Sequence, residues 1–389
     1  MRRILLFDVD GVLVHPTGYK AALRDTVDYF AAQMGLPAVN LSLEEIAVFE
    51  ACGLTNEWDS AALCVGALLS AGVNSGIVAN TFTDALAAIR DARIRLPRPD
   101  FSALATQVSN RSKDHQAPTA ASHALLQSQT AENGHSILAV LFNDIYDIQT
   151  PTTRIQQVHT LGSTAFEETY AEPAPFACES YLVTHDTALL RSDHRDHLLA
   201  WARKTSTHGF TVFTARPSRP PDGAISDMTG YAPEAELAIE LLGLPRDTAL
   251  IAGGRMEWLA RQNQRTAADY IKPSPVQALA AIGAAVADDE IAALQAAAAL
   301  YERNQLIGPL ASLASMPTQV VVFEDSTGGI QAVRGAAQHL ESAGLDIQLL
   351  AVGVAPEYSK QLALRRVADH VVNTLDEGLT LFWADQERG

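Results

Sequence analysis

Residues 4–14 read ILLFDVDGVLV, an apolar run broken by Asp8 and Asp10 and turned by Gly11. Burying two carboxylates inside a strand is unfavourable unless cations or hydrogen-bond donors meet them. A strand over Ile4–Val9 with the acids at its carboxyl end removes the difficulty, because strand ends in α/β sheets open into ligand crevices. The question then becomes which other strands lie beside this one.

The candidates come late in the chain. They are Gly209–Ala215 (GFTVFTA), Thr248–Gly253 (TALIAG), Gln319–Asp325 (QVVVFED), Asp346–Val354 (DIQLLAVGV) and His370–Asn373. Each is a short apolar run rich in Val, Ile and Phe, as expected for strands buried on both faces of a parallel sheet. Helical patterns alternate with them over Arg195–Ser206, Pro233–Leu242, Val276–Ala285 and Gly329–Ala343. That alternation predicts an α/β fold, a Rossmann-like doubly wound parallel sheet. The Ala-rich segment Ala284–Leu300 is expected to be a single helix with a small-residue packing face.

Between residues 15 and 190 the texture changes. Helical patterns dominate over Tyr19–Met34, Ser42–Cys52, Trp58–Ser70 and Thr81–Ala92, and residues 97–175 are rich in Ser, Thr, Gln and Pro with ambiguous periodicity. The expected organisation is a core of residues 1–14 and 191–389 interrupted by a mostly α-helical domain over 15–190.

The chain has 389 residues, 48% of them hydrophobic, enough for more than one core. No apolar run reaches the ~18–20 residues of a membrane helix. The acidic N-terminal run does not suit a signal peptide, and Cys52, Cys64 and Cys178 follow no metal or redox spacing. A reducing, cytoplasmic setting is therefore expected. The net charge of −17 argues against nucleic acid as a partner. It leaves a phosphorylated small molecule open if a metal and a lysine reverse the sign locally.

Four strand ends then carry chemistry. Asp8 and Asp10 end the first. Thr214 ends a second, in TVFTARP. Lys272 is expected to follow another, in DYIKPSP. Glu324 and Asp325 close VVVFED. If these strands share one sheet, the groups converge, and carboxylates from two strands suit a hard cation such as Mg²⁺.

Taken in order, DVDGVL (8–13), FTARP (213–217), IKPSP (271–275) and FEDSTGGIQAV (323–333) resemble the haloacid dehalogenase superfamily of phosphotransferases. EDSTGGIQA looks most like the β-phosphoglucomutase-like branch. The resemblance covers residues 1–14 and 205–389, and the helical insertion falls where that family's caps lie. It implies that Asp8 is the nucleophile, forming an aspartyl-phosphate, and that Asp10 protonates the leaving oxygen and then deprotonates water. It further implies Mg²⁺ held by Asp8, the Asp10 main-chain carbonyl and Asp325, with Glu324 nearby. Thr214 and the Ala215 N–H would bind phosphoryl oxygens, and Lys272 would neutralise charge on nucleophile and phosphate. An aspartate at position 10 favours phosphate over carbon–halogen chemistry.

The remaining residues have two readings each. Arg216 stands where a small residue is expected, and either contacts substrate phosphate or pairs with an acid on the surface. In ACGLTNEWDSAALC (51–64), Thr55 and Asn56, with Trp58 and Asp59, either face substrate or form an ordinary helix N-terminus. Tyr19 and Lys20 have the same standing. Ser326 is read as a helix cap. His185, His194, His197 and His208 follow no ligand spacing. The functional expectation is an Mg²⁺-dependent hydrolase of a small phosphate monoester. A phosphomutase would share every core residue, and a non-catalytic scaffold would have no need of the intact acids.

Overall fold

The computed structural model describes residues 1–111, 121, 125, 134–224, 231–287 and 289–386, the last three of these by backbone only. Strand β1 runs Arg2–Phe7. Its alternating side chains enter two different cores. Ile4 and Leu6 pack with the helices Pro275–Ala284, Glu290–Arg303 and Thr327–Ser342. Leu5 and Phe7 pack with helices Ser192–Arg203, Glu234–Leu241 and Leu375–Gln386. A strand buried on both faces leaves no solvent-facing set of positions, which explains the unbroken apolar run. The Phe7 ring stacks on Phe323 of the neighbouring strand, centroids 5.0 Å apart.

After a two-residue ribbon of β2 (Val14–His15) and β3 (Thr187–Ala188), the chain supplies β4 (His208–Phe213), β5 (Leu250–Ile251), β6 (Thr318–Glu324), β7 (Ile347–Val354) and β8 (His370–Val372). The six long-range partners form one parallel sheet in the order β5-β4-β1-β6-β7-β8. This is a doubly wound α/β core. The chain moves from β1 outward through β4 and β5, then returns to the other side of β1 for β6. The switch point therefore lies at β1, where open sheets bind ligands. Register sets the levels: Phe7 lies opposite Val212 on one side and Phe323 on the other. The residues that follow, Asp8, Thr214 and the pair Glu324–Asp325, thus emerge along one edge.

Two compact units are distinguished, residues 1–16 with 186–389, and 17–185. Residues 15, 16 and 186–190, assigned above to the insertion, belong to the first unit because β2 and β3 pair antiparallel, Val14 with Ala188 and His15 with Thr187. The second unit is helical and has its own core, in which Phe30, Phe49, Leu63, Leu69, Phe101 and Leu138 are buried together. Helix Glu57–Asn74 runs through it and buries nearly every residue from Asp59 to Val73. Helix Leu43–Ala51 starts with a capping box. The Glu45 N–H donates to Ser42 Oγ and the Ser42 N–H donates to Glu45 Oε2, an arrangement in which the cap alone contributes about 1 kcal/mol. Residues 97–175, whose periodicity is ambiguous, contain helices Phe101–Arg111, Gly134–Ala139, Pro151–Leu161 and Ser163–Tyr170.

Three expectations differ from the structure. Ala284–Leu300 is not one helix, since Pro275–Ala284 ends there and Glu290–Arg303 begins anew. Asp289 makes the break, accepting from the Ala292 N–H at 2.9 Å as an N-cap; residue 288 lies outside the described residues. Composition favours helix throughout this stretch, so the restart signal is a single aspartate. Second, no strand precedes Lys272. Ala267–Asp269 is a 3-10 turn capped by Thr266, and Lys272 stands in the loop before helix Pro275–Ala284. Third, the run over Thr248–Gly253 keeps only Leu250–Ile251 as strand, and helix Gly253–Gln262 begins at once. No helix among the described residues is long and apolar enough to cross a membrane.

Candidate active site

Asp8 leaves β1 with its N–H donating to the Phe323 carbonyl at 3.0 Å, so the sheet ladder fixes its backbone. The next residues turn sharply: the N–H groups of Val12, Leu13 and Val14 all donate to the Val9 carbonyl. Gly11 makes the turn with φ +77°, and a Cβ there would lie 2.6 Å from Asp325 Oδ2. Both the backbone angle and the close approach of Asp325 require glycine.

The acids converge as the register implies. Ligand oxygens of Asp8, Glu324 and Asp325 all lie within 4.8 Å of one another. Lys272 Nζ stands between two of them, 2.8 Å from Asp8 Oδ1 and 2.8 Å from Glu324 Oε2. The ammonium also sits 4.1 Å from the centroid of the Phe213 ring, a favourable cation–π placement. Burial alone would lower the Lys272 pKa, but the charges of Asp8 and Glu324 overrule it and hold the amine above its ordinary range. Gln277, fully buried, locks this loop. Its Oε1 accepts from the Lys272 N–H and its Nε2 donates to the carbonyls of Thr214 and Ile251.

Glu324 is completely buried. Burial and, next, the Asp8 charge push its carboxyl up to about 8. Ser326 donates to Glu324 Oε1 from both its N–H and its hydroxyl, and accepts from the Gly329 N–H. Ser326 thus caps helix Thr327–Ser342, as expected, and steadies Glu324 too. Asp325 is likewise raised, by burial and then by Asp8, and Lys360 donates to its Oδ2 at 2.7 Å. Three carboxyl groups drawn together, two of them pushed towards protonation, are the oxygen donor set a hard divalent cation would relieve. The residues present fit Mg²⁺.

Thr214 is buried directly after β4, and its Oγ1 accepts from the Arg216 N–H; Ala215 beside it is exposed. Asp10 stands apart from the acidic cluster. Its carboxylate is held by Arg216, with Nε 3.0 Å from Oδ1 and 3.1 Å from Oδ2, and Nη2 also on Oδ1. Arg216 Nη2 donates as well to Asp186 Oδ2, at 2.9 Å. The arginine is paired with acids, but it is buried rather than on the surface.

Thr55 and Asn56 belong to the second unit. Thr55 is exposed, and Asn56 is an N-cap whose Oδ1 accepts from the Trp58 N–H at 2.9 Å while its Nδ2 donates to the Tyr146 hydroxyl. The ordinary helix N-terminus is thus realised at Asn56. Lys20 forms an ion pair with Glu50. Asp59 is the unusual member of this stretch. It is 5% exposed, its Oδ1 has no hydrogen-bond partner among the described residues, and burial raises its pKa to about 6. The unfolded chain releases this proton near pH 4, so between about pH 4 and 6 the folded state binds more protons and stability falls as pH rises. The loss amounts to about 3 kcal/mol for a shift of two pH units. Asp59→Asn is expected to flatten that fall, which urea unfolding of both proteins at pH 4.5 and 7 measures. Equal pH dependence in parent and variant would contradict the assignment.

Sequence reasoning passed over Asp186 and Lys360. Asp186 lies 176 residues after Asp10, and Lys360 lies in the short helix Tyr358–Leu364 that follows β7. Neither carries a local signal.

No family model matches the sequence, and no curated protein matches it. Solved structures similar to the chain include phosphatase Tt82 from Thermococcus thioreducens, 15% identical over 90% of this chain and 92% of that one, with TM-score 0.38. CbbY from Rhodobacter sphaeroides in complex with phosphate is 14% identical over 96% and 95%, with TM-score 0.32. A 2-haloacid dehalogenase from Pseudomonas syringae pv. Tomato DC3000 is 14% identical over 99% of each chain, with TM-score 0.30.

Proposed function

We propose that this chain is a cytosolic, Mg²⁺-dependent phosphatase of the haloacid dehalogenase superfamily, hydrolysing a small phosphate monoester through Asp8. The observation that carries the reading is the Lys272 ammonium bridging Asp8 and Glu324 at 2.8 Å each, beside Asp325, at the carboxyl ends of β1 and β6. A fold alone would not need it. Burying a lysine among three acids at a sheet's switch point is costly, and replacing such groups with apolar ones is often neutral or stabilising.

Asp8 supplies the carboxylate that attacks phosphorus, with the ester oxygen leaving. Lys272 offsets negative charge on the attacking carboxylate and on the phosphoryl group. The Thr214 hydroxyl and the Ala215 N–H orient phosphoryl oxygens. Asp10 gives a proton to the departing oxygen and later takes one from the water that cleaves the acyl phosphate, returning Asp8 to its carboxylate. Asp8, Asp325 and the Asp10 main-chain carbonyl, with Glu324 beside them, would hold Mg²⁺, which when bound neutralises charge on the transferring group. Positioning and electrostatics are the main requirements of phosphoryl transfer, and these groups supply both. The helical unit 17–185 serves in this reading as a cap that selects the substrate.

The test is a panel of phosphate monoesters, assayed with Mg²⁺ and with chelator, alongside calorimetric titration of Mg²⁺ alone. Turnover of at least one ester that chelation abolishes is expected, with Mg²⁺ binding in the absence of substrate. Failure on the whole panel would overturn the reading in favour of a non-catalytic protein. Turnover that needs a sugar bisphosphate would point to a mutase.

A further inference from the structure

We propose that Arg216 and Asp186 are positioning residues that fix the Asp10 carboxylate for proton transfer, an inference that rests on the function proposed above. Each of the two N-terminal acids has its own cation, delivered from a different loop. Lys272 meets Asp8, and Arg216 meets Asp10. This divides a site of closely spaced acids into two, one built around a nucleophile and one around a proton carrier.

The geometry favours orientation over simple charge balance. Arg216 Nε lies within 3.1 Å of both Asp10 oxygens, and Nη2 adds a second contact to Oδ1. The planar guanidinium fork fixes the plane and direction of a carboxylate, which an ammonium does not. The fork is itself immobilised, because Nη2 also donates to Asp186, whose side chain is fully buried. Only 2% of the Arg216 side chain is exposed, whereas 35% of Asp10 remains open to solvent. The arginine is thus enclosed behind the acid, and a substrate would reach Asp10 first.

Chain position supports the same role. Asp10 is in the turn by which the chain leaves β1, and Asp186 is the first residue of the core unit after the insertion. Arg216 follows β4. Three loops with no sequence proximity meet at one guanidinium, and a stability role explains this poorly, since buried ion pairs contribute little net stability.

Arg216→Lys and Asp186→Asn, each alone and in an Asp10→Asn background, test the proposal on the ester turned over best. In the parent background both are expected to lower kcat by about 10–100-fold with KM within about 3-fold, the range expected for a misplaced proton-transfer group. In the Asp10→Asn background they are expected to cost nothing further. An equal loss in that background would show a structural role, and a raised KM with unchanged kcat would show a substrate contact; either result overturns the proposal. Circular dichroism monitors folding. Should Arg216→Lys not fold, Asp186→Asn carries the test, because it leaves the Arg216–Asp10 contact in place. An active parent with unchanged variants overturns this inference alone, whereas a parent inactive on every ester overturns the proposed function and this inference with it.

Discussion

Asp8→Asn is expected to reduce phosphate-ester turnover by at least ~10⁴-fold while the protein stays folded, because an amide cannot form the acyl phosphate. The folding half of the prediction follows from charge. Asp8 raises the pKa of both Glu324 and Asp325, so neutralising it relieves repulsion within a buried acidic cluster. Lys272 keeps Glu324 as a partner at 2.8 Å. The two effects oppose each other, and the melting temperature is expected to move by only a few degrees. Stopped assays with a sensitive phosphate readout, paired with thermal unfolding, check both halves. Residual turnover near the parent level would remove Asp8 from the nucleophile's role.

Gly329→Ala is expected to cost about 3–5 kcal/mol and to abolish activity, while its neighbour Gly328→Ala is tolerated. A Cβ at 329 would stand 2.0 Å from Glu324 Oε2 and 2.1 Å from its Cδ. A flexible carboxylate on the surface would swing away. Here Glu324 is fully buried and pinned by Lys272 and Ser326, so displacing it breaks a buried ion pair, at about 3–5 kcal/mol. At 328 the nearest atom to a new Cβ is Pro273 Cβ at 3.9 Å, an ordinary contact. The helical preference of alanine over glycine then favours the variant by up to about 1 kcal/mol. Urea unfolding of the two variants gives opposite signs if Glu324 is held as described. Equal stability would mean that its carboxylate is free to move.

These two positions differ in how readable they are. Asp8 announces itself, since an acid at the end of an apolar run has few uses other than a site. Gly329 looks like one of two interchangeable glycines in STGGI, and only the position of the Glu324 carboxylate distinguishes it from Gly328. The same contrast separates Lys272 from Arg216. The motif places the lysine among the acids, although the segment before it is a loop anchored by Gln277 and not a strand. For the arginine the sequence allows either a substrate contact or a surface partner, because its two acids lie 206 and 30 residues away.

The apolar runs ending in Asp8, Thr214 and Glu324 determined the doubly wound sheet, because a strand buried on both faces must be apolar throughout and can place polar groups only at its ends. Strand order and register were decided by the sheet itself, and with them the convergence of the acids, which the runs alone leave conditional on a shared sheet. Lys272 beside Asp8 follows from the resemblance, whereas the pairing of Arg216 with Asp10 and of Lys360 with Asp325 was decided only by tertiary structure. Lys272, Arg216 and Lys360 reach Asp8, Asp10 and Asp325 across hundreds or tens of residues. Such pairings depend on the path of each loop after its strand, and loop paths follow from packing and from isolated caps such as Asp289, not from the periodicity of the chain.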